Sequence, residues 1–360
     1  MHSRESTARA LTEHCRAYPL LGVQDIFKFI YQSSFGCEHL VTSEETATEY
    51  IRKEYAERES EKASSTADGA AVPLDGEYVR VPLSVIDGGL SPETLGRLFC
   101  LSARKEEEGE LRLSEKLEVL KELSSGGALP IDAAELSHRC AEWEREGFPA
   151  VHHSDVFRRC YTPSYRVIAK RYADFLSVFT LIDRTVKEHD RVIIAIEGGS
   201  ASGKSTLGEM LKEVYSCNLF HMDDFFLRPE QRTAERFAEV GGNVDRERFY
   251  GEVLLPLSQN REIAYRRYDC GEQRILPAVK VKPCRLNVVE GAYSMHPLLS
   301  PLYTASVFLD VDPTCQRERI KKRNTPSFAE RFFNEWIPLE TKYFIEMTVK
   351  ERCDLVIGVG

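Results

Sequence analysis

The chain has 360 residues, which at about 100–150 residues per domain predicts two domains. Hydrophobic residues make up 42% and charged residues 29%, with 22 Gly and 16 Pro. Collagen, wholesale disorder and a coiled-coil rod are therefore excluded. The net charge of −9 is unevenly placed. Residues 1–190 hold 24 Lys+Arg against 33 Asp+Glu, whereas residues 191–360 hold 24 of each. An acidic first half argues against a nucleic-acid partner there.

The 10 cysteines contain no C-x-x-C pair, and the start, Met1-His2-Ser3-Arg4-Glu5, has no apolar signal segment. This predicts reduced, mostly buried thiols in a cytoplasmic protein. No apolar run approaches the 18 residues a membrane helix needs.

The first half reads as mostly helical, α or α+β. Val23, Ile26, Phe27 and Ile30 mark one helical face. Thr42-x-x-Glu45 resembles a capping box opening a charged helix to about Glu59. Residues 58–73 are small and polar and read as a loop. Tyr78 to Ile86 reads as a strand. Ser91-Pro92 opens a helix through Arg104, Ser114 starts another, and Asp132 starts one that Gly147 ends. A long helix is expected from Tyr165 to Glu188. Glu38, His39, His152 and His153 are the chemically suggestive residues and offer a metal or acid–base site, but adjacent residues point apart, and polar residues at helix starts, next to the N-cap Ser154, are the favoured reading. No role is legible for residues 1–188. Substrate contacts, a homo-oligomer surface and regulation all stay open for them.

Near residue 188 the period changes, which places the domain boundary there. Val192–Ile196 is a β-branched run. Further strands are expected at Asn218–Met222, Ile263–Tyr268, Leu286–Val289, Ser306–Leu309 and Asp354–Ile357, mostly with helical segments between. Strand–helix alternation predicts an α/β domain with a parallel sheet flanked by helices over residues 189–360.

The segment Gly198-Gly199-Ser200-Ala201-Ser202-Gly203-Lys204-Ser205 fits G-x-x-x-x-G-K-[ST] between a strand and a helix. Its glycines let successive N–H groups curl round phosphate oxygens. The helix that follows, through Thr206, adds the partial positive charge of its N-terminus. Lys204 is placed to reach the β- and γ-phosphates and Ser205 to bind Mg²⁺. The loop predicts a nucleoside triphosphate, and the guanine-reading N-K-x-D that a GTPase needs is not present.

After the loop come His221-Met222-Asp223-Asp224-Phe225-Phe226, Asn243-Val244-Asp245, Tyr268-Asp269 with Gln273-Arg274, Val288-Val289-Glu290-Gly291, and the basic run Arg317–Arg323. This order resembles the uridine kinase / phosphoribulokinase family of P-loop kinases over about residues 190–360. The resemblance implies an ATP- and Mg²⁺-dependent kinase acting on a hydroxyl of a small molecule, with a nucleoside such as uridine or cytidine as the leading acceptor. It implies Asp223 as general base and metal neighbour, Asp245 at the sugar hydroxyls, and Tyr268, Gln273 and Arg274 beside the nucleoside. It further implies Glu290 as the acid supporting Mg²⁺, and Arg319 and Arg323 as lid arginines over the triphosphate.

The chain departs from the family at the acceptor. Arg246-Glu247 stands where His-Pro usually follows the Asp, and Gln273 stands where uridine kinases have a base-reading histidine. A sugar alcohol or other hydroxylated metabolite is the alternative acceptor. A nucleotide-responsive binding protein is the alternative of another class.

Overall fold

A computed structural model describes residues 4–37, 43–61, 71–103 and 109–360. The chain divides into two compact units, residues 1–176 and 177–360.

The first unit is mainly helical. Its helices include Arg4–Ala17, Val23–Phe35, Glu44–Glu61, Pro92–Ser102, Gly109–Ser125 and Ala133–Arg145. The Val23–Phe35 helix buries Ile26, Phe27 and Ile30, but also Asp25, Lys28, Phe29 and Gln32, so it is covered on nearly every side rather than on one face. The Ser91 hydroxyl accepts the Thr94 N–H at 3.0 Å, with Pro92 at the first helical position. Asp132 caps the Ala133–Arg145 helix in the same way, and Gly147 follows it at φ 78°. Thr42 lies outside the described residues, and it is the Ser43 hydroxyl that accepts the Thr46 N–H at 3.2 Å. The helix expected from Ser114 begins earlier, at Gly109.

The long helix expected from Tyr165 to Glu188 is corrected. Tyr165–Ala169 is a strand, paired antiparallel with Tyr78–Pro82 from Pro82↔Tyr165 to Tyr78↔Ala169. Val72–Pro73 adds to the other edge. Pro163 keeps the α conformation from Thr162, which turns at φ 37°. The β-branched Val167-Ile168 pair then buries both its side chains. Lys170–Ala173 forms a single turn before α1, Leu176–Glu188. From Ser177 onward this helix belongs to the second unit. There the Tyr215 hydroxyl donates to Asp183 Oδ1 at 2.9 Å.

The second unit is a five-stranded parallel sheet flanked by helices. Its strands are β1 (Val192–Gly198), β2 (Asn218–His221), β3 (Leu286–Glu290), β4 (Ala305–Val311) and β5 (Leu355–Val359), in the order β5-β4-β1-β3-β2. All four pairings are parallel. Every residue of β1 is buried, as a central strand covered on both faces demands. The edge strand β5 alternates between half-buried and exposed. Between β1 and β2 runs α2, Lys204–Tyr215; α3, Pro313–Arg323, follows β4; α4, Ile337–Glu346, precedes β5. This order, with a glycine-rich loop after the central strand, is the expected α/β architecture of a parallel sheet flanked by helices.

The strand expected over Ile263–Tyr268 is two short pieces outside the main sheet. Ile263–Tyr265 pairs with Val279–Val281, and Tyr268–Asp269 pairs with Arg274–Ile275. The Asp269 carboxylate accepts the N–H groups of Gly271 and Glu272 at 2.8 and 2.9 Å, which closes the second hairpin. A core in this unit is built on Phe225, Phe249 and Tyr265. The Phe225 and Phe249 rings meet edge to face at 4.9 Å.

Gly291 ends β3 at φ 141°, and a Cβ there would lie 2.5 Å from Met222 Cβ. Only glycine suits both the angle and the space. Gly291→Ala is expected to cost about 1–3 kcal/mol, read as a lowered denaturation midpoint. An unchanged midpoint would contradict this packing.

Candidate active site

The phosphate loop leaves β1 where the sheet's carboxyl edge opens. Gly198 has φ 148°, and a Cβ on it would lie 2.6 Å from the Leu309 carbonyl of β4. Gly203 turns at φ 100° to start α2, and Ala201 also takes a left-handed conformation at φ 58°. The Ser202 N–H donates to the Gly199 carbonyl at 3.1 Å. Lys204 is buried, and its Nζ donates back to the Gly199 carbonyl at 2.9 Å. Ser205 and Thr206 stand exposed at the first turn of α2.

Side chains remote in sequence clamp the loop. Glu340 of α4, buried, accepts the Ser200 N–H at 2.8 Å and the Ser200 hydroxyl at 2.5 Å. Gln316 of α3 donates to the Ser200 carbonyl at 2.8 Å, and Arg319 Nη1 donates to the Ala201 carbonyl at 3.3 Å. Of the two expected lid arginines, Arg319 thus touches the loop, while Arg323 is exposed at the end of the same helix. Arg317 stacks over the Phe333 ring at 4.1 Å.

The acids gather opposite. The Ser205 hydroxyl donates to Glu290 Oε1 at 3.0 Å, and His221 Nδ1 meets the same oxygen at 2.6 Å. The Glu290 hydrogen bond raises the His221 pKa and favours its charged form. Asp223 follows β2 in a tight 3-10 turn, Met222–Phe225. The residue is exposed to solvent, with Lys204, His221, Glu290 and Asp224 close enough to act on its charge. Loss of surrounding water pushes its pKa up, Lys204 and His221 pull it down, and Glu290 and Asp224 push it up further. Burial also raises Asp224 and Glu340.

Ser205, Glu290 and Asp223 offer a hydroxyl and two carboxylates. These are the hard oxygen donors that Mg²⁺ takes when phosphates and water complete its shell. Ser205 already bonds a buried carboxylate, so the residues fit the ion.

The acceptor-side residues lie further out. Asp245 is buried and caps the Arg246–Phe249 turn, accepting the Arg248 N–H at 3.3 Å. Its other oxygen holds Gln231 at 3.0 Å and Arg248 Nε at 3.3 Å. The Tyr268 hydroxyl accepts from Arg232 at 3.2 Å. Gln273 sits at φ 51° in the hairpin turn, and the exposed Arg274 pairs with Glu272.

In the first unit, Ser154 caps the Asp155–Tyr161 helix, and His153 bonds Asp25 and Tyr165. Glu38 and His39 lie outside the described residues. Among the described residues no group of three or more His, Cys, Asp or Glu is arranged to hold a metal, and no helix is long and apolar enough to cross a membrane.

No family model matches the chain. It is similar to a thymidylate kinase of Rickettsia africae, 27% identical over 154 residues, 36% of this chain and 70% of that one. The match to the thymidylate kinase of Rickettsia canadensis is 28% identical over the same shares. Among solved structures it is similar to a possible uridine kinase from Bacillus stearothermophilus, at 20% identity and TM-score 0.39, covering 50% of this chain and 99% of that one. It is also similar to D-glycerate 3-kinase from Cryptococcus neoformans, at 13% identity and TM-score 0.35, covering 52% and 92%.

Sequence reasoning passed over Glu340, Gln316, His221 and Glu197. Glu197 carries the clearest signal, an acid inside a β-branched strand directly before the phosphate loop. It is fully buried and accepts the N–H groups of Gly198 and Met295 at 2.9 and 3.0 Å and the Tyr343 hydroxyl at 3.1 Å. Burial outweighs these donors and raises its pKa from 4.5 to about 7. The folded protein therefore holds a proton that the unfolded chain releases near pH 4.5. Stability from this group is present below that pH and is lost as pH rises to about 7. At 1.36 kcal/mol per pH unit the loss is about 3 kcal/mol. Glu197→Gln cannot titrate. Wild type should lose stability relative to the variant between pH 5 and 8 in denaturant melts, whatever the constant offset. Parallel curves would refute the shift.

Proposed function

We propose that residues 177–360 form an ATP- and Mg²⁺-dependent kinase that phosphorylates a hydroxyl of a small molecule. The observation that carries this reading is the placement of Asp223 and Glu290 at the ends of β2 and β3, opposite the Lys204 loop. A nucleotide sensor needs the loop but has no use for an acid held above its usual pKa beside it. The names of the similar proteins, thymidylate kinase and uridine kinase, agree with phosphoryl transfer.

In this reading the N–H groups of Gly203, Lys204, Ser205 and Thr206 hold the triphosphate, and the Lys204 ammonium neutralises its terminal oxygens. The acceptor hydroxyl loses its proton to Asp223 as its oxygen bonds to the γ-phosphorus. The bond from that phosphorus to the bridging oxygen breaks, and ADP leaves. A general base of this kind works best when its pKa approaches the operating pH, the direction in which burial moves Asp223. Arg319, already on the loop, is the lid cation best placed to offset charge on the transferring group. Ser205, Glu290 and Asp223 would hold Mg²⁺, which when bound neutralises phosphate charge.

A nucleoside such as uridine is the leading acceptor. A non-nucleoside alcohol is the second reading, favoured by Asp245. That carboxylate, which the family resemblance assigns to sugar hydroxyls, is buried and already committed to Arg248 and Gln231.

ADP release from ATP across a panel of uridine, cytidine, thymidylate, glycerate and sugar alcohols tests both. One acceptor should stimulate release well above the acceptor-free rate. Asp223→Asn should lower that rate by about 10²–10⁴-fold while ATP binding persists. Equal turnover by the two proteins would remove Asp223 as base, and ATP binding with no acceptor turnover would favour the sensor.

A further inference from the structure

The first unit contains a cavity of about 680 Å³, within the range of small-molecule sites. Several elements build it, among them the Pro92–Ser102 helix, which contributes Phe99. The Val23–Phe35 helix contributes Lys28 and Gln32, the Glu44–Glu61 helix contributes Ala47 and Tyr50, and the Tyr165–Ala169 strand contributes Tyr165 and Val167. Apolar and aromatic surface therefore faces a polar floor.

The floor carries more positive charge than it answers. Lys28 is 7% exposed and donates only to the Val151 carbonyl, at 3.2 Å. Arg80, behind the floor, is 3% exposed. Its guanidinium donates twice to Gln32 Oε1, at 3.0 and 2.7 Å, and lies over the Tyr165 ring at 4.8 Å. Among the described residues neither cation has a carboxylate partner.

The nearest buried acid, Asp25, is already taken. Its oxygens accept from His153 Nδ1 at 3.2 Å, from the Ser154 N–H and hydroxyl at 2.9 and 2.7 Å, and from the Gly22 N–H at 3.0 Å. Although burial opposes it, those donors hold Asp25 at about pKa 2. Burial pushes His153 down to about 4, so its ring is neutral near pH 7. With Nδ1–H given to Asp25, Nε2 accepts the Tyr165 hydroxyl at 2.7 Å. The Arg166 guanidinium at the rim is matched by Glu54 at 2.8 Å. The surplus is thus localised on Lys28 and Arg80.

A buried cation without a counter-charge is costly unless a ligand supplies one. The Asp25–His153–Tyr165 chain and the paired Gln32 hold the floor rigid, as a binding site requires. We propose that this cavity binds a small organic oxyanion, a carboxylate or phosphate monoester on a flat apolar body. Its anionic end lies against Lys28, and its body lies between Tyr50, Phe99 and Val167. This site is separate from the phosphate loop, and its existence does not depend on the kinase reading.

Calorimetric titration of the full chain with benzoate and phenyl phosphate tests it. Lys204→Ala is titrated in parallel, so that phosphate binding at the loop is recognised. Wild type and Lys204→Ala should both bind at least one probe saturably. Lys28→Met should weaken that binding at least tenfold. Ala47→Leu, which fills the cavity without touching charge, should do the same and decides the matter should Lys28→Met not fold. Absence of saturable binding, loss of it in Lys204→Ala, or its retention in Ala47→Leu would overturn the site.

Discussion

The phosphate loop depends on how closely β1 and β4 approach at Gly198. The two strands are paired up to Leu309↔Gly198, and the Leu309 carbonyl fills the space a side chain would need. The chain can leave β1 only through a residue with no Cβ and a positive φ. From that exit follow the inward turn of the loop, the return of Lys204 onto the Gly199 carbonyl, and the start of α2 at Gly203. The α3 donors Gln316 and Arg319 and the α4 acceptor Glu340, which grip Ser200 and Ala201, then have fixed atoms to meet. A loop that must bind a highly charged ligand gains by being held before the ligand arrives, because its ordering entropy is already spent in folding.

Charge around this loop is arranged unlike that of an ordinary folded surface. Glu197, Asp223, Glu290 and Glu340 lie near Lys204, and burial raises three of them, Glu197, Asp223 and Glu340, above their ordinary pKa. Four acids around one buried lysine oppose one another, and such crowding lowers stability where it serves no ligand. The acids also differ in what they touch. Glu340 and Glu197 are saturated with N–H and hydroxyl donors and act on the loop's shape. Glu290 bonds the loop's Ser205, and Asp223 faces the open cleft. The division separates acids that hold the loop from acids that face a ligand.

What the sequence disclosed follows from how local each signal is. The phosphate loop is eight consecutive residues whose spacing is its function. β1 opens with a continuous apolar run, Val192–Ile196, and β3 is carried by Leu286, Val288 and Val289, so their type and position were legible. Ser91, Asp132 and Ser154 were legible as caps because a cap acts over three residues. The Tyr165–Ala169 strand was not, because its identity comes from pairing with residues some 85 positions earlier. An aromatic- and leucine-rich segment running into α1 looks helical until that partner is known. Glu340 escaped for the same reason, being 140 residues from the serine it holds. The hairpin at Tyr268–Ile275 broke a strand pattern because Asp269 closes a turn with its own side chain.

Net charge proved a poor guide to where charge acts. The half with nine surplus negative charges keeps them largely outside, as at Glu144 and Glu146, where water screens them at little cost. Inside that half, among the described residues, the cations Lys28 and Arg80 are buried without a carboxylate partner. The neutral half shows the reverse, with its crowded acids inside and Lys321, Lys322 and Arg323 exposed on α3. A formal sum weights every ion equally, whereas desolvation weights them by depth, and a charge near the interior is worth many at the surface. Within each unit the buried minority of charges therefore marks the candidate ligand site, and its sign is opposite to what the exposed majority suggests.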